Sequence, residues 1–150
     1  MADTVSPAVR SRMMAGIRAK NTKPEMFIRR GLHSMGFRYR LHDRLLPGKP
    51  DLVLPKYRAV IFVNGCFWHG HECAIFKWPK TREAFWRQKI GRNKANDLRH
   101  SVALSALGWR TLVIWECAIK CEEHSARLEL FTLCRDWLNG LCNSLVIEAT

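Results

Sequence analysis

Residues 46–65 read LPGKPDLVLPKYRAVIFVNG. Gly48 between Pro47 and Pro50 makes the opening a turn, and DLVL (51–54) and YRAVIFV (57–63) are two apolar runs of strand length joined through Pro55 and Lys56. On the N-terminal side, FRYRL (37–41) alternates apolar and basic residues as a half-exposed strand does. Before it, TKPE (22–25) is a capping box of Thr22 with Glu25, with Pro24 in the tolerated first turn, so a helix should run to Met35 and stop at Gly36. On the C-terminal side, residues 81–90 and 93–107 carry helical patterns ending at Gly108, WRTLVIWE (109–116) is the last strand, and 122–139 the last helix. The expected order is helix, three strands, helix, strand, helix: an α/β domain with a central mixed sheet flanked by helices.

A chain of 150 residues is the size of one domain, and a hydrophobic fraction of 47% excludes disorder. The formal charge is +12, unevenly placed: residues 1–120 hold 23 Lys/Arg against 8 Asp/Glu, residues 121–150 only 2 against 5. A basic body with an acidic tail points to a polyanionic partner, most simply nucleic acid; the bland alternative is a merely solvated basic surface. No apolar stretch approaches the ~20 residues that span a bilayer, and MADTVSPAVR lacks a signal peptide's apolar centre, so the chain reads as cytosolic. In that reducing compartment the six cysteines do not read as three disulfides. Cys134 and Cys142 fall in the C-terminal helical pattern and read as buried free thiols. Residues 6–20 set Arg10, Arg12, Arg18 and Lys20 around only Met13, Met14 and Ile17, a marginal helix unless it binds something.

NGCFWHGHEC (64–73) follows the second strand of the opening stretch and packs Cys66, His69, His71 and Cys73 together, with Cys117 and Cys121 offered from the end of the last strand. Zinc takes four such ligands at tetrahedral geometry, and this density is a strong metal signal. Spacing leaves the ligand set open, since in an extended stretch His69, His71 and Cys73 would share a face. Asp51 begins an apolar strand, where a carboxylate is costly unless it holds a cation or does chemistry; its other reading is turn closure after Pro50. Trp86, Lys89, Asn93 and Asp97 line one face if the helix continues through Gly91. Core packing is the expectation for Trp109, Trp115 and Trp137, with Trp78 undecided.

LPGKPDLVLPKYRAVIFVNGCFWHGHEC (46–73), TREAFWRQKIGRNKANDLR (81–99) and LGWRTLVIWEC (107–117) together resemble the very-short-patch-repair (Vsr) mismatch endonucleases, and the likeness runs over almost the whole chain. The resemblance implies a restriction-endonuclease-like core built on Pro50 and Asp51, with a structural zinc site. Asp51 would hold Mg²⁺ with the backbone carbonyl of Val63, and Glu25 would lie near that metal. His69 would act at the scissile phosphate, oriented by Asp97. The Zn²⁺ ligands would be Cys66, His71, Cys73 and Cys117. Phe67, Trp68 and Trp86 would intercalate, Lys89 and Asn93 would contact the mismatch, and Met14 would lie on the minor-groove side. Lys120 is a candidate groove contact. Where relatives often carry histidine this chain has Asn64 and Gly70, and Asn64 cannot shuttle a proton.

The implied activity is Mg²⁺-dependent nicking of duplex DNA 5′ to the mispaired T of a T:G mismatch left by deaminated 5-methylcytosine. A monomer of residues 21–150 would carry the endonuclease domain, residues 1–20 would order on DNA, and the cytoplasmic protein would reach the nucleoid through DNA. A cytosine methyltransferase is the implied functional companion, and mismatch-repair proteins are candidate partners. Two rivals stand beside it: a zinc-held DNA-binding module without catalysis, and a restriction-like nuclease for unmismatched sites that would not need Phe67 and Trp68.

Overall fold

The computed structural model describes residues 21–120 and 124–149. The basic segment 1–20 with Met14, and Cys121, lie outside the described residues. The first helix, α1 (Lys23–Ser34), starts where the capping signal places it, with Thr22 Oγ1 accepting the Glu25 N–H at 3.3 Å. The return bond of the expected box is displaced by one residue: Glu25 Oε1 accepts from the Asn21 N–H at 3.1 Å. Gly36, at φ +96°, follows the helix and lets the chain leave it.

Of the strand expected over 37–41, only Arg40–Leu41 (β1) pairs in the sheet. The residues before it are held against α1 instead, with the Tyr39 hydroxyl donating to the Arg29 carbonyl at 2.9 Å and Phe37 buried. β2 (Leu52–Leu54) and β3 (Ala59–Asn64) are the two runs of the opening stretch, joined by a single 3₁₀ turn over Pro55–Tyr57. The two predicted helical segments of the middle of the chain are one helix, α2 (Glu83–Ala106), continuous through Gly91. One glycine costs a helix interior only about 1 kcal/mol, too little to break 24 residues. β4 (Arg110–Trp115) follows, then a single turn of helix, α3 (Glu116–Ile119), and α4 (His124–Asn139).

A fifth strand, β5 (Ser144–Ile147), completes the sheet and is absent from the sequence-based order. Four residues give periodicity little to register, and the strand exists because Leu112 and Ile114 of β4 pair with Leu145 and Ile147. The sheet order is β1-β2-β3-β4-β5, antiparallel through β3 and parallel from β3 to β5, so it is mixed. One face carries the main core, where Leu52, Leu54, Ile61, Leu112 and Ile114 pack with α1 and α4. On the other face Val53 and Val60 pack with Leu104 of α2. Arg110 closes the C-terminal end of α4 by donating to the carbonyls of Trp137 and Leu138, both at 2.9 Å. Cys134 is buried as expected, but Cys142 is exposed, because it falls past the end of α4 in the connection to β5. Among the described residues the cysteines are free, and no helix is long and apolar enough to cross a membrane.

Candidate active site and metal centre

Asp51 stands at the mouth of β2, and its Oδ2 accepts the Val63 N–H from β3 at 2.7 Å. Burial pushes its carboxyl up to about 7; the Val63 bond opposes this, and the nearby Glu25 carboxylate adds to it. Glu25 enters from the first turn of α1 and is fully buried, so its role exceeds that of a cap. Its Oε2 lies 2.9 Å from His42 Nε2 and 3.2 Å from Arg29 Nη1. Donor atoms of Glu25, His42 and Asp51 all lie within 4.8 Å of one another. Two carboxylates brought this close out of water repel, and the oxygen-rich pair suits a hard divalent cation.

His69 sits in the turn after β3, with Nδ1 2.6 Å from Asp97 Oδ2 on α2. The carboxylate accepts a hydrogen bond from Nδ1–H, which leaves Nε2 as the ring nitrogen that Asp97 does not engage. Asp51, Asn64, His69, Asp97 and His100 line one cavity of about 390 Å³ between α2 and the sheet. Sequence reading passed over His42 and His100: neither stands in a dense motif, and only the packing of α1 and α2 brings them here.

The second cluster is formed by Cys66, His71, Cys73 and Cys117, whose donor atoms lie within 4.8 Å of one another. His69 is not among them, which divides the two histidines of one short stretch between two sites. His71 Nδ1 faces Cys117 Sγ at 3.7 Å, its Nε2 lies 2.5 Å from Glu148 Oε2, and its ring stacks on Trp115 at 4.1 Å and 9°. Burial pushes the Cys66 thiol up to about 12, against the Cys117 N–H bonded to its sulfur at 3.3 Å. At Cys73 burial also acts upward, but hydrogen bonds from the Ile75 and Phe76 N–H groups, His71 and Cys66 outweigh it and bring the thiol down to about 7. Three sulfurs and one imidazole at this spacing fit a closed tetrahedral zinc site.

Phe67, Trp68 and Trp86 form one edge-to-face cluster, with centroids 5.2 to 5.7 Å apart. Lys89 lies over the Trp68 ring at 5.5 Å, and the Asn93 amide donates to the Trp68 carbonyl at 2.8 Å. Of the remaining tryptophans, Trp137 is buried, Trp109 and Trp115 are half-buried, and Trp78 is exposed beside the Arg87 guanidinium. Lys120, exposed just past the end of α3, is paired with Glu116 at 3.1 Å.

The family model described as DNA mismatch endonuclease Vsr matches residues 2–75. The chain is 42% identical over 140 residues to the DNA mismatch endonuclease Vsr of Escherichia coli, covering 93% of this chain and 90% of that one. It belongs to the Vsr family. Two further relatives of this Vsr chain are named as type II nicking enzymes. V.XorIIP of Xanthomonas oryzae pv. oryzae is 50% identical over 119 residues, 79% of this chain and 88% of that one. V.NmeAIP of Neisseria meningitidis is 39% identical over 145 residues, 97% of each. The mixed five-stranded sheet flanked by helices is the restriction-endonuclease-like fold expected for a Vsr chain.

Proposed function

We propose that this chain nicks one strand of duplex DNA 5′ to the mispaired T of a T:G mismatch, with Mg²⁺ at Asp51 and Zn²⁺ in the four-ligand cluster. Family membership makes it a DNA endonuclease that uses a divalent metal. The observation that carries the finer reading is the cavity in which Asp51, with buried Glu25 behind it, faces the His69–Asp97 pair. A phosphodiester placed there meets acidic metal donors on one side and an oriented imidazole on the other.

Asp51 and the Val63 carbonyl would hold Mg²⁺, with Glu25 beside them. Bound there, the ion supplies positive charge to phosphate oxygens and acidifies water. His69 exchanges a proton with the reacting oxygens through Nε2, while Asp97 keeps Nδ1 protonated and the ring aimed. Asn64 lines the same cavity and can hydrogen-bond a phosphate oxygen, but it carries no titratable proton, so proton handling rests on His69. The Phe67–Trp68–Trp86 cluster is a wedge for base steps, whose unstacking costs a few kcal/mol and less at a mismatch. Lys89 and Asn93 at its base are the mismatch readers. Residues 1–20, with Met14, would order in the minor groove, Lys120 is the remaining groove contact, and residues 21–150 are the nuclease domain. A monomer acting in the cytoplasm on nucleoid DNA, paired functionally with a cytosine methyltransferase and open to mismatch-repair proteins, completes the reading.

The test is a labelled duplex with one T:G mismatch and its T:A counterpart, incubated with protein and Mg²⁺, wild type beside Asp51→Ala. Nicking of the T:G duplex alone, abolished by the substitution, is expected. Binding of both duplexes with no cutting in any sequence context would leave a zinc-held DNA-binding module, and equal cutting of both would leave a restriction-like nuclease.

A further inference from the structure

His71 is held on three sides. Its ring lies flat on Trp115 at 4.1 Å and 9°, its Nδ1 faces the Cys117 sulfur at 3.7 Å, and its Nε2 is 2.5 Å from Glu148 Oε2. The carboxylate accepts a hydrogen bond from Nε2–H, which fixes the tautomer and leaves the Nδ1 lone pair directed at the sulfur cluster. The neighbouring residue adds a second contact: the Ala149 N–H donates to Cys117 Sγ at 3.4 Å. Both groups follow Ile147, which is buried and paired with Ile114 of β4, so the end of β5 is anchored immediately before it reaches the cluster.

We propose that Glu148 is the positioning residue of the metal centre, and that the end of β5 closes the site by holding His71 and Cys117 from outside. The inference rests on the reading of Cys66, His71, Cys73 and Cys117 as a zinc site. A carboxylate behind a ligating imidazole raises its basicity and fixes its aim, and losing such a partner typically costs 10–100-fold in metal affinity. An N–H bond to a ligating sulfur stabilises its thiolate form in the same way that any donor stabilises an anion. The competing account is a plain surface ion pair, since Glu148 keeps about half of its side chain in solvent at 54%. Such a pair would leave the metal indifferent to its loss.

The experiment uses the full chain and zinc alone, with affinity read by competition against a chelator of known strength. Wild type is compared with Glu148→Ala, Glu148→Gln and, as a control on strand pairing, Val146→Ala, which alters an exposed position of the same strand. The expected result is about 10–100-fold weaker zinc binding for Glu148→Ala. Glu148→Gln falls between, because its amide oxygen can still accept a hydrogen bond from Nε2–H but without the charge, and Val146→Ala matches wild type. Cobalt-loaded Glu148→Ala should also show a shifted visible absorption band, a mark of altered ligand geometry that a surface ion pair would not produce. Circular dichroism of the zinc-saturated proteins separates metal loss from unfolding; if the alanine variant does not fold, the glutamine variant decides. Wild-type affinity and an unchanged cobalt band in the Glu148 variants would overturn the proposal. A wild type that takes up no zinc would instead overturn the zinc reading on which it stands.

Discussion

His69 Nδ1 and Asp97 Oδ2 meet at 2.6 Å although the two residues lie 28 positions apart. The pair joins the turn after β3 to the middle of α2 and settles which imidazole nitrogen is free. Asp97→Asn keeps the shape but replaces a charged, acceptor-only group with a neutral amide that can accept through its oxygen or donate through its nitrogen, so the Nδ1–H tautomer is no longer enforced. Single-turnover nicking of a T:G duplex should slow by about 10²–10⁴-fold, while binding by gel shift changes little. Equal loss of binding would make the pair structural.

Asp51 sets a pH dependence whose sign is fixed by its raised pKa. Its ordinary value of 3.8 applies to the unfolded chain and about 7 to the folded one. Between those values the native state holds a proton that the unfolded state has lost, so without divalent metal stability falls as pH rises from about 4 to 7, then levels off. The effect should be on the order of a few kcal/mol. Urea midpoints measured at pH 4.5 and 7 without Mg²⁺, at matched zinc content, should show this fall in wild type and a smaller one in Asp51→Asn. A midpoint that rises over the same range in wild type alone would refute the assignment.

Cys66 and Cys134 are both buried thiols with pKa pushed up to about 12 by burial, yet they should respond oppositely to substitution. Cys66→Ser removes a proposed zinc ligand and should lose the metal together with several kcal/mol of stability. Cys134→Ala removes one core sulfur and should cost about 1 kcal/mol with zinc content intact. Metal analysis beside thermal unfolding distinguishes the two.

Trp68 touches Phe67, Trp86, Lys89 and, through its carbonyl, Asn93. Trp68→Ala should reduce affinity for the mismatched duplex by about 1–3 kcal/mol and erode the preference for T:G over T:A. The backbone bond to Asn93 survives the substitution, so the fold should hold. Unchanged discrimination would assign the cluster to packing.

Gly70 sits at φ +61°, and a Cβ there would come within 2.6 Å of both Ile90 Cγ2 and Lys94 Cε. Gly70→Ala therefore adds strain to crowding and should destabilise by about 1–3 kcal/mol in urea. It should also displace the turn that carries His69 and His71, so nicking should fall with stability.

Local chemistry made much of this molecule readable in advance. The cap at Thr22, the runs that became β2, β3 and β4, and the dense cysteine and histidine motif act over a few residues, and their residue types alone carry the signal. The resemblance of three long strings singles out Asp51, His69 and Asp97, and the three line one cavity. Tertiary structure decided the rest. β5 is too short to announce itself and exists only because β4 offers it an edge. His42 reaches Glu25 across 17 residues and Glu148 reaches His71 across 77, contacts for which no local pattern exists. Which ring nitrogen each of His69 and His71 leaves unengaged is set by the carboxylate that folding brings to it, because a hydrogen bond selects a tautomer and sequence spacing does not.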